Sequence, residues 1–187
     1  MEIRLNLVLL ATLGVAWAAL SGSDPVAALD PESAETRELA MLEDEFARDR
    51  GDVLMARHLS SRYLELDRPG LAIAALSAAD AAVLEDPSVA HRLAQAYEST
   101  GRLDDALATA ELAVARCGRY LGTADSSTAT PVPRHRCDAR DYAILDMHRT
   151  ALSHMVRWDV ADPARDSRRQ MAYDLAMRRA SIASAVQ

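Results

Sequence analysis

The stretch Leu93–Ala113, "LAQAYESTGRLDDALATAELA", decides how this chain folds. Leu93, Ala94 and Tyr97 fall on one face of a helix, at i, i+1 and i+4. Gly101 follows, the residue type that accepts the positive φ of a tight helix–helix turn. Ala106, Ala110 and Ala113 mark a second helix, whose small side chains let it approach the first closely while Tyr97 fills the space between. Thirty-four residues earlier the pattern is already present, because Leu59–Ala79 reads "LSSRYLELDRPGLAIAALSAA". There Leu59 stands for Leu93, Tyr63 for Tyr97, Arg68 for Arg102, Ala72 for Ala106 and Ala79 for Ala113, with Asp67 at the place of Gly101. The copies abut. Asp86-Pro87 restarts the chain between them, Asp as the cap and Pro at the first helical position.

A period of thirty-four residues, the Leu-small-x-x-Tyr cluster, the turn Gly and the spaced alanines resemble the tetratricopeptide repeat family. Two copies, about 53–86 and 87–118, carry the resemblance over about a third of the chain. The family's early Trp is missing, with Ala56 and Ala90 where it would fall, and its closing Pro is absent unless Pro87 serves in a shifted position. The resemblance implies an all-α fold of antiparallel helical hairpins stacked as a short right-handed solenoid. It also implies a concave groove, lined by the first helix of each unit, that binds a partner's extended peptide or helix. Carried onto this sequence, the groove candidates are Leu54, Arg57, Ser61, Leu64 and Glu65 in the first copy, and His91, Arg92, Gln95 and Glu98 in the second. Arg57 and Arg92 are suited to holding a carboxylate bidentately. The family's clamp for a C-terminal carboxylate relies on Lys and Asn, a set this chain lacks, so a chaperone tail is not the indicated ligand.

The flanks also read as helix. In "PESAETRELAMLEDEFARDR", Leu39, Leu42 and Phe46 form one stripe and Gly51 a stop, which predicts a lone helix covering the front of the stack. Residues 138–158 and 163–186 read as two terminal helices, the last starting at Asp162-Pro163 with Met171, Leu175, Ile182 and Val186 as its stripe. Their alanines do not follow the repeat, so they are expected to cap the array, with a polar outer face. Residues 31–187 then make a single helical domain, after a linker at 24–30.

With 187 residues, half of them apolar and only 4% aromatic, the chain is long enough for one modest core. A net charge of −7 argues against nucleic acid as a partner. All 21 basic residues are Arg, the usage of a GC-rich genome. Residues 30–67 carry eleven acids against five arginines, and residues 163–187 five arginines against Asp166 and Asp174. The two charged ends can be ordinary solvated faces, or can meet within one molecule or between two.

"MEIRLNLVLLATLGVAWAALSGSDP" opens with a short polar start, runs apolar from Leu5 to Leu20, and ends in small residues and a Pro. That order is a secretory signal peptide over residues 1–23. The competing reading is a retained membrane anchor through 5–20, although sixteen residues span only about 24 Å as a helix. Either places the protein in the periplasm or envelope of a bacterium. Cys117 and Cys137 bracket a Ser-, Thr- and Pro-rich loop, 118–137. In an oxidising compartment they close it as a disulfide, in preference to a metal site with His135.

No phosphate-binding Gly-rich loop, nucleophile elbow or His-Glu-x-x-His pair is present. His148 and His154, with Met147 and Met155 beside them, lie six apart rather than at the i, i+4 spacing of a helical metal site. The sequence therefore predicts no enzyme, no cofactor and no metal. It predicts an exported adaptor that holds another protein of the envelope, the alternative being a membrane-tethered accessory subunit of a larger complex.

Overall fold

The computed structural model describes residues 33–123 and 137–185, and all the regular structure among them is helix. The leader or anchor, the linker, His135 and most of the loop between the cysteines lie outside the described residues. Eight helices are described: α1 (Ala34–Arg48), α2 (Val53–Glu65), α3 (Pro69–Ser77), α4 (Ala81–Leu84), α5 (Pro87–Ser99), α6 (Leu103–Thr123), α7 (Ala139–Arg157) and α8 (Arg168–Ala185). The chain divides into two compact units between Glu38 and Leu39, inside α1. In the first unit Ser33 Oγ accepts from Thr36 N (3.0 Å) at the start of that helix. Everything below belongs to the second unit.

Local chemistry explains where the helices begin. Asp52 Oδ1 accepts from Leu54 N (2.8 Å) and Met55 N (3.1 Å) ahead of α2. Asp86 Oδ1 does the same for Ser88 N (2.9 Å) and Val89 N (3.2 Å) ahead of α5. Asp138 and Asp141 form a reciprocal capping box ahead of α7. Each side chain satisfies amide N–H groups that have no partner within the helix.

The helices also end alike. Asp67 (φ 54°), Gly101 (φ 74°) and Asp159 (φ 51°) occupy the left-handed region. The next N–H reaches back across each turn, Arg68 to Tyr63 O (2.8 Å), Arg102 to Tyr97 O (2.9 Å) and Val160 to Met155 O (3.1 Å). This C-terminal motif satisfies a carbonyl of the last helical turn and reverses the chain. One cap and one turn thus build three helical hairpins, α2–α3, α5–α6 and α7–α8, the last on a longer first helix.

The core follows the spaced alanines. Ala56, Ala72, Ala90, Ala94, Ala106, Ala110 and Ala113 are all buried, and Leu59, Leu76, Val83 and Val89 fill the room between them. Ala56 and Ala90, which replace the aromatic residue of the repeat pattern, are closed over by their neighbours. Arg116 of α6 reaches back to Leu84 O (2.5 Å) and Glu85 (2.8 Å), holding the second hairpin to the end of α4. A further cluster joins α5 and α6 to the last hairpin through Leu103, Ala151, Leu152, Met155 and Val160.

α1 buries Leu39, Leu42 and Phe46 as its stripe predicts, and Tyr63 of α2 donates to its Glu43 (2.6 Å). The last helix departs from its prediction twice. It starts at Arg168, because Asp162-Pro163 initiates a single turn and Asp166, accepting from Arg168 N (2.8 Å), supplies the real start. Among its described side chains the buried ones are Ala172 and Ala176, while Met171 and Leu175 face outward; the side chains of Ile182 and Val186 lie outside the described residues. Leu152, Met155 and Trp158 of the α7 side supply the volume there, so the small face of α8 is the one that fits.

A candidate groove and a buried carboxylate

The N-terminal halves of α2 and α5 lie side by side along a cavity of about 620 Å³, within the usual range for a ligand site. Leu54 and Arg57 come from α2, and His91, Arg92 and Gln95 from α5. These are five of the nine groove candidates. Ser61, Leu64 and Glu65 lie further along α2 and do not line the cavity; Glu65 pairs with Arg62 (3.1 Å). A third wall has no counterpart in the sequence-based prediction. Asp141, Ile144 and Leu145 of α7 close the cavity, together with Cys137.

Cys137 and Cys117 form a disulfide, with Cα atoms 5.3 Å apart. Cys117 is fully buried on α6 against Ala90, Ala113 and Leu145. The bond therefore ties the residue just ahead of the Asp138 cap of α7 back to α6 and positions the new wall. Among the described residues no group of His, Cys, Asp or Glu has the geometry of a metal site.

The cavity has an uneven charge distribution. Asp52, Asp86 and Asp141 line one end, where each accepts backbone N–H bonds as part of a helix cap. One to two turns along the helices stand Arg57 and Arg92. Arg92 donates to Gln95 (3.0 Å), and neither guanidinium has an ion-pair partner among the described residues. Burial, and then the charge of Arg57, lower the pKa of Arg92, while Glu65 acts the other way. Two like charges thus face the same cavity, Arg57 from α2 and Arg92 from α5, with the carboxylates of the lining gathered at the capped helix starts.

Glu98 departs from its predicted surface position, for it is only 3% exposed. Its Oε2 accepts from His148 Nε2 (2.9 Å) and Tyr173 OH (2.8 Å), and its Oε1 from Arg169 Nε (2.7 Å). Burial by itself would raise the carboxyl pKa. The bonds from His148, Arg169 and Tyr173 outweigh that and hold it at about 2. An ionised carboxylate only accepts, so Nε2 of His148 carries a proton, while the buried Nδ1 makes no hydrogen bond. Burial and the Glu98 charge push the Tyr173 hydroxyl far above its ordinary value. One carboxylate thus joins α5 to α7 and α8. Sequence reasoning does not find this cluster, because Glu98 meets partners 50, 71 and 75 residues away.

His91 lies between the two features. It lines the cavity, and its ring centroid is 4.9 Å from that of His148. Burial first, then the charges of His148 and Arg92, lower its pKa from 6.5 to about 3, with Glu98 acting weakly in the opposite sense. Folding therefore favours neutral His91. Its contribution is complete above pH 6.5 and is lost progressively as the pH falls toward 3. On acidification below that upper value, stability should fall by up to about 1.4 kcal/mol per pH unit, the effect of one proton. His91→Gln should remove this slope in urea melts at about pH 7, 6 and 5. A difference between wild type and H91Q that stays constant over those values would exclude His91 as its source.

No family model, curated protein or solved structure matches the chain.

Proposed function

We propose that the protein is a non-catalytic, exported adaptor, a short right-handed solenoid of tetratricopeptide-like hairpins whose groove holds a peptide or helix of a partner protein. The observation that carries this reading is the cavity between α2 and α5, where Arg57 and Arg92 make no ion pair among the described residues and stand beside exposed Leu54 and half-buried His91. Such a wall suits a segment that offers a carboxylate next to an aliphatic side chain. The first two hairpins, which share one cap and one turn, support the repeat reading, with α7–α8 as the helical cap that closes on them. The disulfide is compatible with an oxidising, exported compartment.

The test is the double reversal Arg57→Glu with Arg92→Glu, examined by crosslinking in the envelope of the native host. Both side chains sit on the cavity wall rather than in the core, so the fold should survive. The expected result is a loss of partner crosslinks of at least about tenfold, as charge repulsion replaces the pairing. If every partner remains at its wild-type level while circular dichroism shows a native fold, the groove reading fails.

A further inference from the structure

The outer face of α8 is not that of a closing helix. The end of a helical array needs a polar outer surface to stop further stacking. Here Met171 is 55% exposed, Met177 45% and Leu175 38%. Met171, Leu175 and Arg178 follow each other at i, i+4 and i+7, which places them on one exposed stripe beside the buried face of Ala172 and Ala176. Arg178 and Arg179 have no ion-pair partner among the described residues, and Asp174, one turn earlier, is bonded by Gln170 (3.0 Å).

The other end of the same unit carries the complement. On α1, Met41 is 66% exposed, and exposed Glu45 follows it at i+4, beside the buried stripe of Leu42 and Phe46. Asp44 pairs with Arg48 on that surface, so the charge of Glu45 is left unmatched among the described residues.

We propose that α8 of one molecule packs on α1 of a second copy, Met171 and Leu175 against Met41, and Arg178 and Arg179 against Glu45. Two different patches meet in this contact, so it is heterologous. Each added copy presents a fresh α1 or α8, and the assembly grows head to tail rather than closing as a two-fold dimer. Two helix faces make a small interface, so the association is weak and concentration-dependent. It is independent of what fills the groove between α2 and α5.

Sedimentation velocity of the full chain over a range of concentrations tests this. The wild type should form oligomers that grow with concentration and shrink with added salt. Two exposed charge reversals, Glu45→Arg in one protein and Arg178→Glu with Arg179→Glu in another, should each weaken self-association at least about tenfold. Mixed together, these two should assemble again, because the arginine front of the first faces the glutamate tail of the second, and the unchanged Glu45 of the second faces the unchanged Arg178 and Arg179 of the first. Three outcomes would overturn the proposal. They are a wild type that stays monomeric throughout, oligomers that neither reversal weakens (which would assign the α8 face to a membrane or to an unrelated protein), or folded variants whose mixture stays apart.

Discussion

Glu98→Ala is expected to lower the stability of the protein by about 3 kcal/mol, the lower end of the range for removing one partner of a buried ionic group. The reasoning rests on what stays behind. His148 is 3% exposed, so its Nε2–H has no water to turn to once the carboxylate is gone. The Tyr173 hydroxyl loses its acceptor as well. The Arg169 side chain is 47% exposed and can rehydrate, which keeps the expected loss near the lower bound. Because the lost bonds join α5 to α7 and α8, unfolding should also become less cooperative, with the last hairpin opening first. Urea melts followed by far-ultraviolet circular dichroism and by Trp158 fluorescence measure both effects. Glu111→Ala on the exposed face of α6 serves as the control, expected to change stability by less than about 0.5 kcal/mol. If E98A matches E111A, the cluster does not hold the last hairpin in place.

Reducing the disulfide should have an effect of similar size by a different route. A bridge with a sequence separation of 20 restricts the unfolded chain by about 3 kcal/mol on the loop-entropy account. The folded state also loses something, since Cys137 immediately precedes the Asp138 cap of α7 and lines the cavity. Replacing both cysteines by Ala separates the cross-link from the thiols, and keeps a small apolar group at buried Cys117. The double variant and the reduced wild type should melt together, well below the oxidised protein. Equal melting of oxidised and reduced wild type would mean that packing of Leu145 against Ala90 and Ala113 holds this corner without the bond.

How much of this was legible in the sequence depended on the range of the interaction. The first two hairpins rest on contacts within thirty-odd residues, so Leu59, Tyr63, Ala72, Ala106 and Ala113 announce them by spacing alone. The caps at Asp52, Asp86 and Asp138 act over three residues and are equally plain. The inward face of α8 does not follow from side-chain size, because the small residues Ala172 and Ala176, not the methionines, are the ones buried. A helix packed tightly on α7 buries Ala172 and Ala176 and leaves its methionines outside. Of the groove, the α2 and α5 positions could be found by analogy between the copies. The α7 wall could not, since nothing local relates Ile144 and Leu145 to Leu54. Glu98 was picked out for the wrong reason, its partners lying on helices that no periodicity connects to α5.

The bond between Cys117 and Cys137 also changes what a broken peptide bond would mean for this molecule. A protease that cut once anywhere between the two cysteines would not release either part. The product would be a two-chain protein, one chain carrying the first two hairpins and the other the last, still joined through sulfur and still sharing Glu98. Its mass would exceed that of the intact chain by a single water until a reductant reached the sulfurs.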